Sequence, residues 1–221
     1  MNPSRVVFSS GDLLDQSWRI FKQNLWPLLG GALTISALSV AANLIDYWSP
    51  FEWSFLITWL FYLVQFVLSG PLMLGYYKMI RCAVAGHRVE FTDIFYGFSR
   101  FLPAFFANFV IGIFTAIGFL FCIIPGMLVS LVYLPVYLFI LDGENDFWKA
   151  MEASRKLVMN NFTQWLLLGV VLFLLNLAGM LLCCVGVLAT MPMTFIAITL
   201  AYEQEHGCAA MDVPQDPPFE G

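Results

Sequence analysis

Charged residues are scarce in this chain. Asp, Glu, Lys and Arg make up 11% of its 221 residues, whereas about 25% is usual in soluble proteins. Hydrophobic residues account for 60% of the sequence, and its mean hydropathy is +0.80. This composition excludes a water-soluble globule, and the lack of a basic surface argues against nucleic acid as a partner. It predicts an integral membrane protein whose first partner is the lipid bilayer.

Motifs of common active sites are also missing. The sequence contains no G-x-S-x-G, no H-E-x-x-H and no Walker loop, so the parts of ordinary hydrolases and nucleotide-driven motors are absent. Its two histidines, His87 and His206, fall in a predicted turn and in the C-terminal tail, where we interpret them as solvated surface residues. We expect no catalytic, cofactor-binding or metal-binding residue, and no enzyme activity.

None of the five cysteines belongs to a C-x-x-C pair, which makes a metal or redox motif an unfavoured interpretation. Cys122 and Cys183-Cys184 fall near helix ends predicted on the same side of the membrane, so a disulfide between them stays open. Packing as small apolar residues within helices is the interpretation we favour.

Apolar residues recur at helical spacing in three segments that also carry charge. Such a pattern is typical of helices lying on a membrane surface with their cations in water. The apolar sets are Leu14, Trp18, Phe21 and Leu25; then Phe91, Ile94, Phe95, Phe98 and Leu102; and finally Phe147, Trp148, Met151 and Leu157.

Six stretches between and after these segments are apolar enough to cross a bilayer, whose core needs roughly 20 helical residues. None of them contains Asp, Glu, Lys, Arg or His, which argues against a pump or proton-coupled carrier. The predicted spans are about Leu25–Ile45, Trp53–Tyr77, Pro103–Cys122, Gly126–Leu141, Phe162–Leu182 and Gly186–Tyr202.

All ten lysines and arginines lie in segments that six spans place on one side, and the three opposite loops contain none. By the positive-inside rule that side is cytoplasmic, with both termini inside. The fold we predict is all-α: a polytopic membrane helical bundle of six transmembrane helices arranged as three hairpins, each preceded by a cytoplasmic interfacial amphipathic helix.

The same order of elements predicts an internal repeat. Residues 1–202 form one membrane domain with units at about 10–82, 88–142 and 145–202, and residues 203–221 form a flexible acidic, proline-rich tail. Units of two spans share one orientation, so an axis along the membrane normal relates them. Each returning span carries a proline that is expected to kink it, namely Pro71, Pro135 and Pro192.

Three runs of the sequence resemble a known group of proteins: GPLMLGYYKMIRCAVAG, then FTDIFYGFSRFLP, then IIPGMLVSLVYLPVYLFILDGENDFWKAMEASRKLVMNNF. The group that they resemble consists of uncharacterised bacterial multi-pass membrane proteins related to the membrane domain of glycerophosphodiester phosphodiesterases. The shared elements are structural: Gly70-Pro71, Gly75-Tyr76, Phe95/Phe98, Pro125-Gly126 and Ala150-x3-Ser154. The resemblance implies a fold and a location in the bacterial cytoplasmic (inner) membrane. No phosphodiesterase domain is present, so that activity does not carry over.

The polar residues within the spans are amides and hydroxyls. We interpret them mainly as interhelical hydrogen-bonding groups. The functional alternative is a polar groove for a lipid headgroup or other amphiphile, centred on Gln65, Asn108 and Asn176.

We therefore predict a non-enzymatic scaffold or accessory subunit that associates with another membrane protein or with lipid headgroups. The alternative is a small permease or exporter for a neutral or amphipathic solute, gated by the proline-containing spans. A cavity open to one side and lined by Gln65, Asn108 or Asn176 favours the permease, and a dry bundle centre filled with side chains opposes it.

Overall fold

A computed structural model describes residues 10–48, 54–181 and 184–206. Throughout these ranges the chain is helical, with short turns and no strand. The helices are α1 (Ser10–Gln23), α2 (Leu25–Trp48), α3 (Ser54–Val84), a 3₁₀ helix (Phe91–Arg100), α4 (Phe101–Phe121), α5 (Ile123–Tyr133), α6 (Val136–Leu141), α7 (Phe147–Asn160), α8 (Phe162–Leu181) and α9 (Cys184–His206).

Four of the described helical stretches are long and apolar enough to cross a membrane: Trp59–Val84, Phe91–Phe121, Phe162–Leu181 and Gly186–Glu205. Within the described side chains, the first and fourth predicted spans contribute shorter apolar stretches, Leu25–Ala37 and Pro125–Leu141, although α2 itself runs from Leu25 to Trp48. The all-helical prediction is therefore confirmed, and insertion into a membrane is supported by four helices. The number six and the hairpin arrangement stay predictions.

Helix ends depart from the predicted boundaries where charged residues continue a helix. α3 extends seven residues beyond Tyr77, to Val84, so Lys78 and Arg81 are helical. α9 likewise runs through His206, which makes Glu203 and Glu205 part of a helix rather than of the predicted tail. Residues 207–221 lie outside the described residues.

The second amphipathic segment differs from the others in its helical geometry. Ten residues of 3₁₀ helix is an unusual length, and the sequence explains it through a spacing of three. Ile94 and Gly97 are its buried residues, while Phe95 and Phe98 form an exposed pair with ring centroids 6.2 Å apart. At three residues per turn each pair occupies one face of the helix.

α3 and α6 end in the same glycine turn. Gly86 and Gly143 both have positive φ, 73° and 105°, a conformation that glycine adopts without a steric penalty. In each turn the next residue's N–H reaches back to the helix, from His87 to the Cys82 carbonyl and from Glu144 to the Phe139 carbonyl. This is the Schellman motif, and both copies lead into an amphipathic segment.

The first and third amphipathic helices, α1 and α7, are both 14 residues long. Each is separated from the following helix by a single asparagine, Asn24 or Asn161. The carbonyl of that asparagine accepts a hydrogen bond from the backbone N–H four residues later, that of Leu28 or Trp165. Ser17 and Ser154, seven residues before those asparagines, are both fully buried. The serine and the asparagine therefore occupy the same places in the first and third predicted units.

Each amphipathic segment packs mainly on an apolar helix from another predicted unit. α1 packs on α9, the 3₁₀ helix on α3, and α7 on α5 and α6. In addition α2 packs against α3, α4 against α5, and α8 against α9. The contact between α1 and α9 joins the start of the described chain to its end, so the packing order closes into a ring.

α3, α6 and α9 form the inside of the bundle. Of the 18 most apolar consecutive residues in Gly186–Glu205, 56% are buried inside the bundle, whereas in Phe91–Phe121 the share is 17%. Aromatic rings fill the space between them: Tyr77 stacks on Tyr137 at 5.4 Å, and Phe195 meets Tyr77 edge-on at 5.2 Å. Bulky side chains therefore occupy the described centre.

Glycines permit the closest helix contacts. A Cβ added at Gly75 would lie 1.8 Å from the carbonyl oxygen of Ile94, and one at Gly97 would lie 1.8 Å from that of Pro71. Gly118 faces Gly126 between α4 and α5 in the same way. Gly112, by contrast, lies inside α4 with nothing within 4 Å of the position its Cβ would take.

Candidate functional site

Gln65 lines a cavity of about 550 Å³ beside α3, whose other lining residues are Trp59, Tyr62, Leu63, Phe66 and Ser69. Aromatic rings dominate this lining, which also includes the Gln65 amide and the Ser69 hydroxyl. Ser69 connects the cavity to Asn108, because the Asn108 amide donates to the Ser69 hydroxyl at 2.8 Å. Two of the three predicted groove residues therefore belong to one region.

Asn108 also joins a third helix to this region. Its carbonyl oxygen accepts a hydrogen bond from the Tyr137 hydroxyl at 2.9 Å, so α3, α4 and α6 meet at one amide. Asn176 lies elsewhere, between α8 and α9, where its amide nitrogen donates to the Leu172 carbonyl and the Thr194 hydroxyl, both at 2.8 Å. The bond to Thr194 links α8 to α9, and neither bond brings Asn176 to Gln65 or Asn108.

The three prolines have different surroundings. Pro71 and Pro192 lie inside α3 and α9, and the carbonyl oxygen of Pro71 faces Gly97. Pro135 stands between α5 and α6, where the helix is interrupted. Only one of the three predicted kink positions coincides with a break in the described helices.

Side chains from two other helices satisfy backbone carbonyls at this break. The Tyr77 hydroxyl of α3 donates to the Leu134 carbonyl at 2.9 Å, and the Ser154 hydroxyl of α7 donates to the Val132 carbonyl at 2.7 Å. An unpaired carbonyl in an apolar environment is costly. The break is thus a junction that holds α3 and α7 against α5 and α6.

A charged cluster that the sequence did not predict joins the ends of α3, α6 and α9. The Arg81 guanidinium lies 2.5 Å from an Asp142 carboxylate oxygen, and the Tyr202 hydroxyl donates to the other oxygen. Arg81 is only 5% exposed. Successive residues of this cluster are about sixty positions apart in sequence, so no local pattern could have paired them. The sequence indicated only that all three would lie on the same side of the membrane.

Further polar links lie near the same ends. Glu205 of α9 accepts hydrogen bonds from the Asn161 amide and, at 3.0 Å, from the Trp165 indole. The Arg100 guanidinium donates to the Ile140 carbonyl at 3.1 Å and to the Asn145 amide oxygen at 3.0 Å. These contacts tie the amphipathic segments and helix ends into one polar layer.

A second cavity of about 450 Å³ lies between α4, α5 and α7. Its lining is Phe114, Tyr133, Trp148, Met151, Glu152 and Arg155, so aromatic walls meet a charged rim. Lys156 lies 2.8 Å from Glu152, and this hydrogen bond lowers the pKa of the Glu152 carboxyl. Neither the groove hypothesis nor any motif pointed to this cavity.

Among the residues that the structure describes, no three side chains of His, Cys, Asp and Glu group as metal ligands. Cys82 and Cys122 carry free thiols, whereas Cys183 and the side chain of Cys184 lie outside what is described. No protein-family model, curated protein or solved structure matches this chain.

Proposed function

We propose that this chain is a non-enzymatic integral membrane protein of the bacterial inner membrane, acting as a scaffold or accessory subunit. Its six spans form three hairpins, each preceded by a cytoplasmic amphipathic segment, with both termini in the cytoplasm. The lengths of the two shorter candidates support the count, because α2 has 24 residues and α5 to α6 run from Ile123 to Leu141. Both lengths suit a core that needs roughly 20 helical residues.

The ring-like packing order supports three units related by an axis along the membrane normal. In every unit the amphipathic segment lies on the returning helix of the unit before it, and α1 of the first unit lies on α9 of the third. Such an arrangement joins the three segments into a cytoplasmic collar, which we define as α1, the 3₁₀ helix and α7.

The exposed aromatic side of the collar is the observation that carries the proposal. Leu13, Ile94 and Met151 anchor the three segments inward. Each segment also presents aromatic rings outward, led by Trp18 at 42%, Phe95 at 55% and Trp148 at 55% exposed. A surface of this kind suits headgroup-level lipid and the flank of another membrane protein.

The test compares proteins and lipids retained after gentle extraction by the unaltered chain and by two double variants. Phe95→Gln with Phe98→Gln removes the exposed aromatic pair, and Phe95→Leu with Phe98→Leu keeps it apolar. We expect a reproducible partner that the glutamine variant loses and the leucine variant keeps, with thermal unfolding unchanged because both rings are exposed. The proposal is wrong if nothing reproducible is retained or if all three chains retain the same set.

The second candidate is a small permease or exporter for a neutral or amphipathic solute, favoured by the cavity beside Gln65. The aromatic filling between α3, α6 and α9 opposes it, because Tyr77, Tyr137 and Phe195 stand where a central path would run. Flux of small neutral solutes into proteoliposomes discriminates the two. A rate above that of empty vesicles, lowered by Gln65→Ala, would select the permease.

The resemblance to the membrane domain of glycerophosphodiester phosphodiesterases remains part of this proposal. Its signature positions Gly70, Gly75 and Ser154 all lie in helix contacts, which agrees with a shared structural role. It contributes nothing about a substrate.

A further inference from the structure

The cavity between α4, α5 and α7 combines two features that a lipid requires. Its inner part is apolar, with Met151 buried and the rings of Phe114 and Tyr133 6.0 Å apart. Its rim carries Glu152 and Arg155, both exposed on one flank of α7. Charged side chains avoid hydrocarbon, so this rim marks the level of the polar interface.

The helix that carries the rim is cationic, and Arg155 is the cation that lines the cavity. α7 contains Lys149, Arg155 and Lys156 against Glu152 alone, a net charge of +2. Lys156 already pairs with Glu152. Arg155 also interacts electrostatically with Glu152, but among the described residues no carboxylate lies within 4.0 Å of its guanidinium, so its N–H groups can still donate to a ligand at the cavity mouth.

The apolar side of the cavity continues along α4. Phe114, Ile117 and Phe121 follow the i, i+3, i+7 spacing of one helical stripe, and the last two are 46% and 81% exposed. This stripe is about 10 Å long at 1.5 Å per residue. An acyl chain leaving the cavity would therefore meet a continuous apolar surface within the span.

We propose that this cavity binds one anionic phospholipid of the surrounding bilayer, with its phosphate at Arg155 and an acyl chain along the Phe114–Ile117–Phe121 stripe. A guanidinium matches phosphate oxygens in a planar, two-point geometry that an ammonium does not reproduce. The inference deepens the proposed function, on which it rests, by naming a lipid class and its site.

The cavity also adjoins a structural junction. Ser154, next to Arg155, holds α7 to the Val132 carbonyl at the interruption between α5 and α6. A lipid seated at Arg155 would therefore contact α4, α5 and α7 beside this junction. Binding there stabilises the folded chain, because only the folded chain assembles the site.

The test uses the purified full-length protein with phosphatidylglycerol, phosphatidylcholine or soluble glycerol phosphate. Lipid retention is measured by native mass spectrometry and stabilisation by thermal unfolding. The variants are Arg155→Gln, Arg155→Lys and the matched control Lys149→Gln, which removes a charge from the same helix outside the cavity lining. We expect about fivefold preferential retention of phosphatidylglycerol, lost in Arg155→Gln, partly kept in Arg155→Lys and within twofold of normal in Lys149→Gln.

Three outcomes overturn the inference. Equal losses in Arg155→Gln and Lys149→Gln would indicate attraction to total charge rather than a site. Equal stabilisation by glycerol phosphate would indicate a soluble anion, and retention without headgroup preference would indicate ordinary annular lipid. No other protein is present in this assay, so a negative result here does not affect the partner test at Phe95 and Phe98. A negative result in the partner test likewise leaves the lipid-binding result interpretable.

Discussion

Replacing Gly75 by alanine tests whether α3 and the 3₁₀ helix meet backbone to backbone. The new methyl group would lie 1.8 Å from the Ile94 carbonyl oxygen, whereas ordinary contact begins near 3.4 Å. The obstruction is backbone, so no rotamer change relieves it. The 3₁₀ helix would have to move away by about 1.6 Å, and at such a gap dispersion contacts lose more than half of their energy.

The magnitude follows from the packing that this movement disrupts. Ile94 is fully buried against α3, and Gly97 on the same face stands against the Pro71 carbonyl. Overpacking a core typically costs about 1–3 kcal/mol and occasionally more, and here two backbones are involved. Alanine regains about 1 kcal/mol of helix propensity over glycine. Taking the upper end of that cost, about 3 kcal/mol, and subtracting the propensity gain, we expect a net loss of about 2 kcal/mol in the free energy of unfolding.

Gly112→Ala is the matched control, since α4 offers open space there. The same substitution should be neutral or stabilise the protein by up to about 1 kcal/mol. The assay is unfolding of each detergent-purified chain, followed by helical circular dichroism against temperature and against SDS fraction. If Gly75→Ala proves as stable as Gly112→Ala, the close contact between α3 and the 3₁₀ helix does not exist.

Three further predictions concern hydrogen bonds, charge and threading. Tyr77→Phe should lower the free energy of unfolding by about 1 kcal/mol by leaving a carbonyl unpaired, whereas Tyr76→Phe should not, since the Tyr76 hydroxyl has no partner among described residues; equal effects would refute this role. Arg81→Gln should cost about 2–4 kcal/mol in the same unfolding assay, because it leaves a carboxylate unmatched, and unchanged stability would contradict it. A reporter fused at Gly86 should be cytoplasmic. In a variant that keeps Cys122 as its only cysteine, that thiol should react with a membrane-impermeant reagent only from the opposite face. Any other pattern refutes the predicted topology.

The helix breaks show where local patterns were sufficient. The change from charged to uncharged sequence at Asn24 and Asn161 predicted the boundaries between surface helices and spans, and both asparagines separate two helices. The turns at Gly86 and Gly143 follow from glycine's access to positive φ. Such features depend on a few neighbouring residues, so they can be predicted from the sequence alone.

The groove hypothesis shows where local patterns were insufficient. Gln65, Asn108 and Asn176 are similar in the sequence, because each is an isolated amide in an apolar run. Packing separates them, since Asn108 bonds to Ser69 and Tyr137 while Asn176 bonds to Thr194. Which amide lines a cavity depends on helix rotation and partner choice, and periodicity does not encode either.

The sequence by itself determined that the chain is helical and apolar, that its cations lie outside the apolar stretches, and that amphipathic segments alternate with apolar ones. These properties depend on composition and spacing, because the preference of a side chain for the bilayer or for water is set by the residue type. Tertiary structure alone decided the junction at Pro135, the cluster of Arg81 with Asp142 and Tyr202, and the cavity at Arg155. Each of these needs groups dozens of residues apart to meet, and only the packing of one helix on another sets those distances.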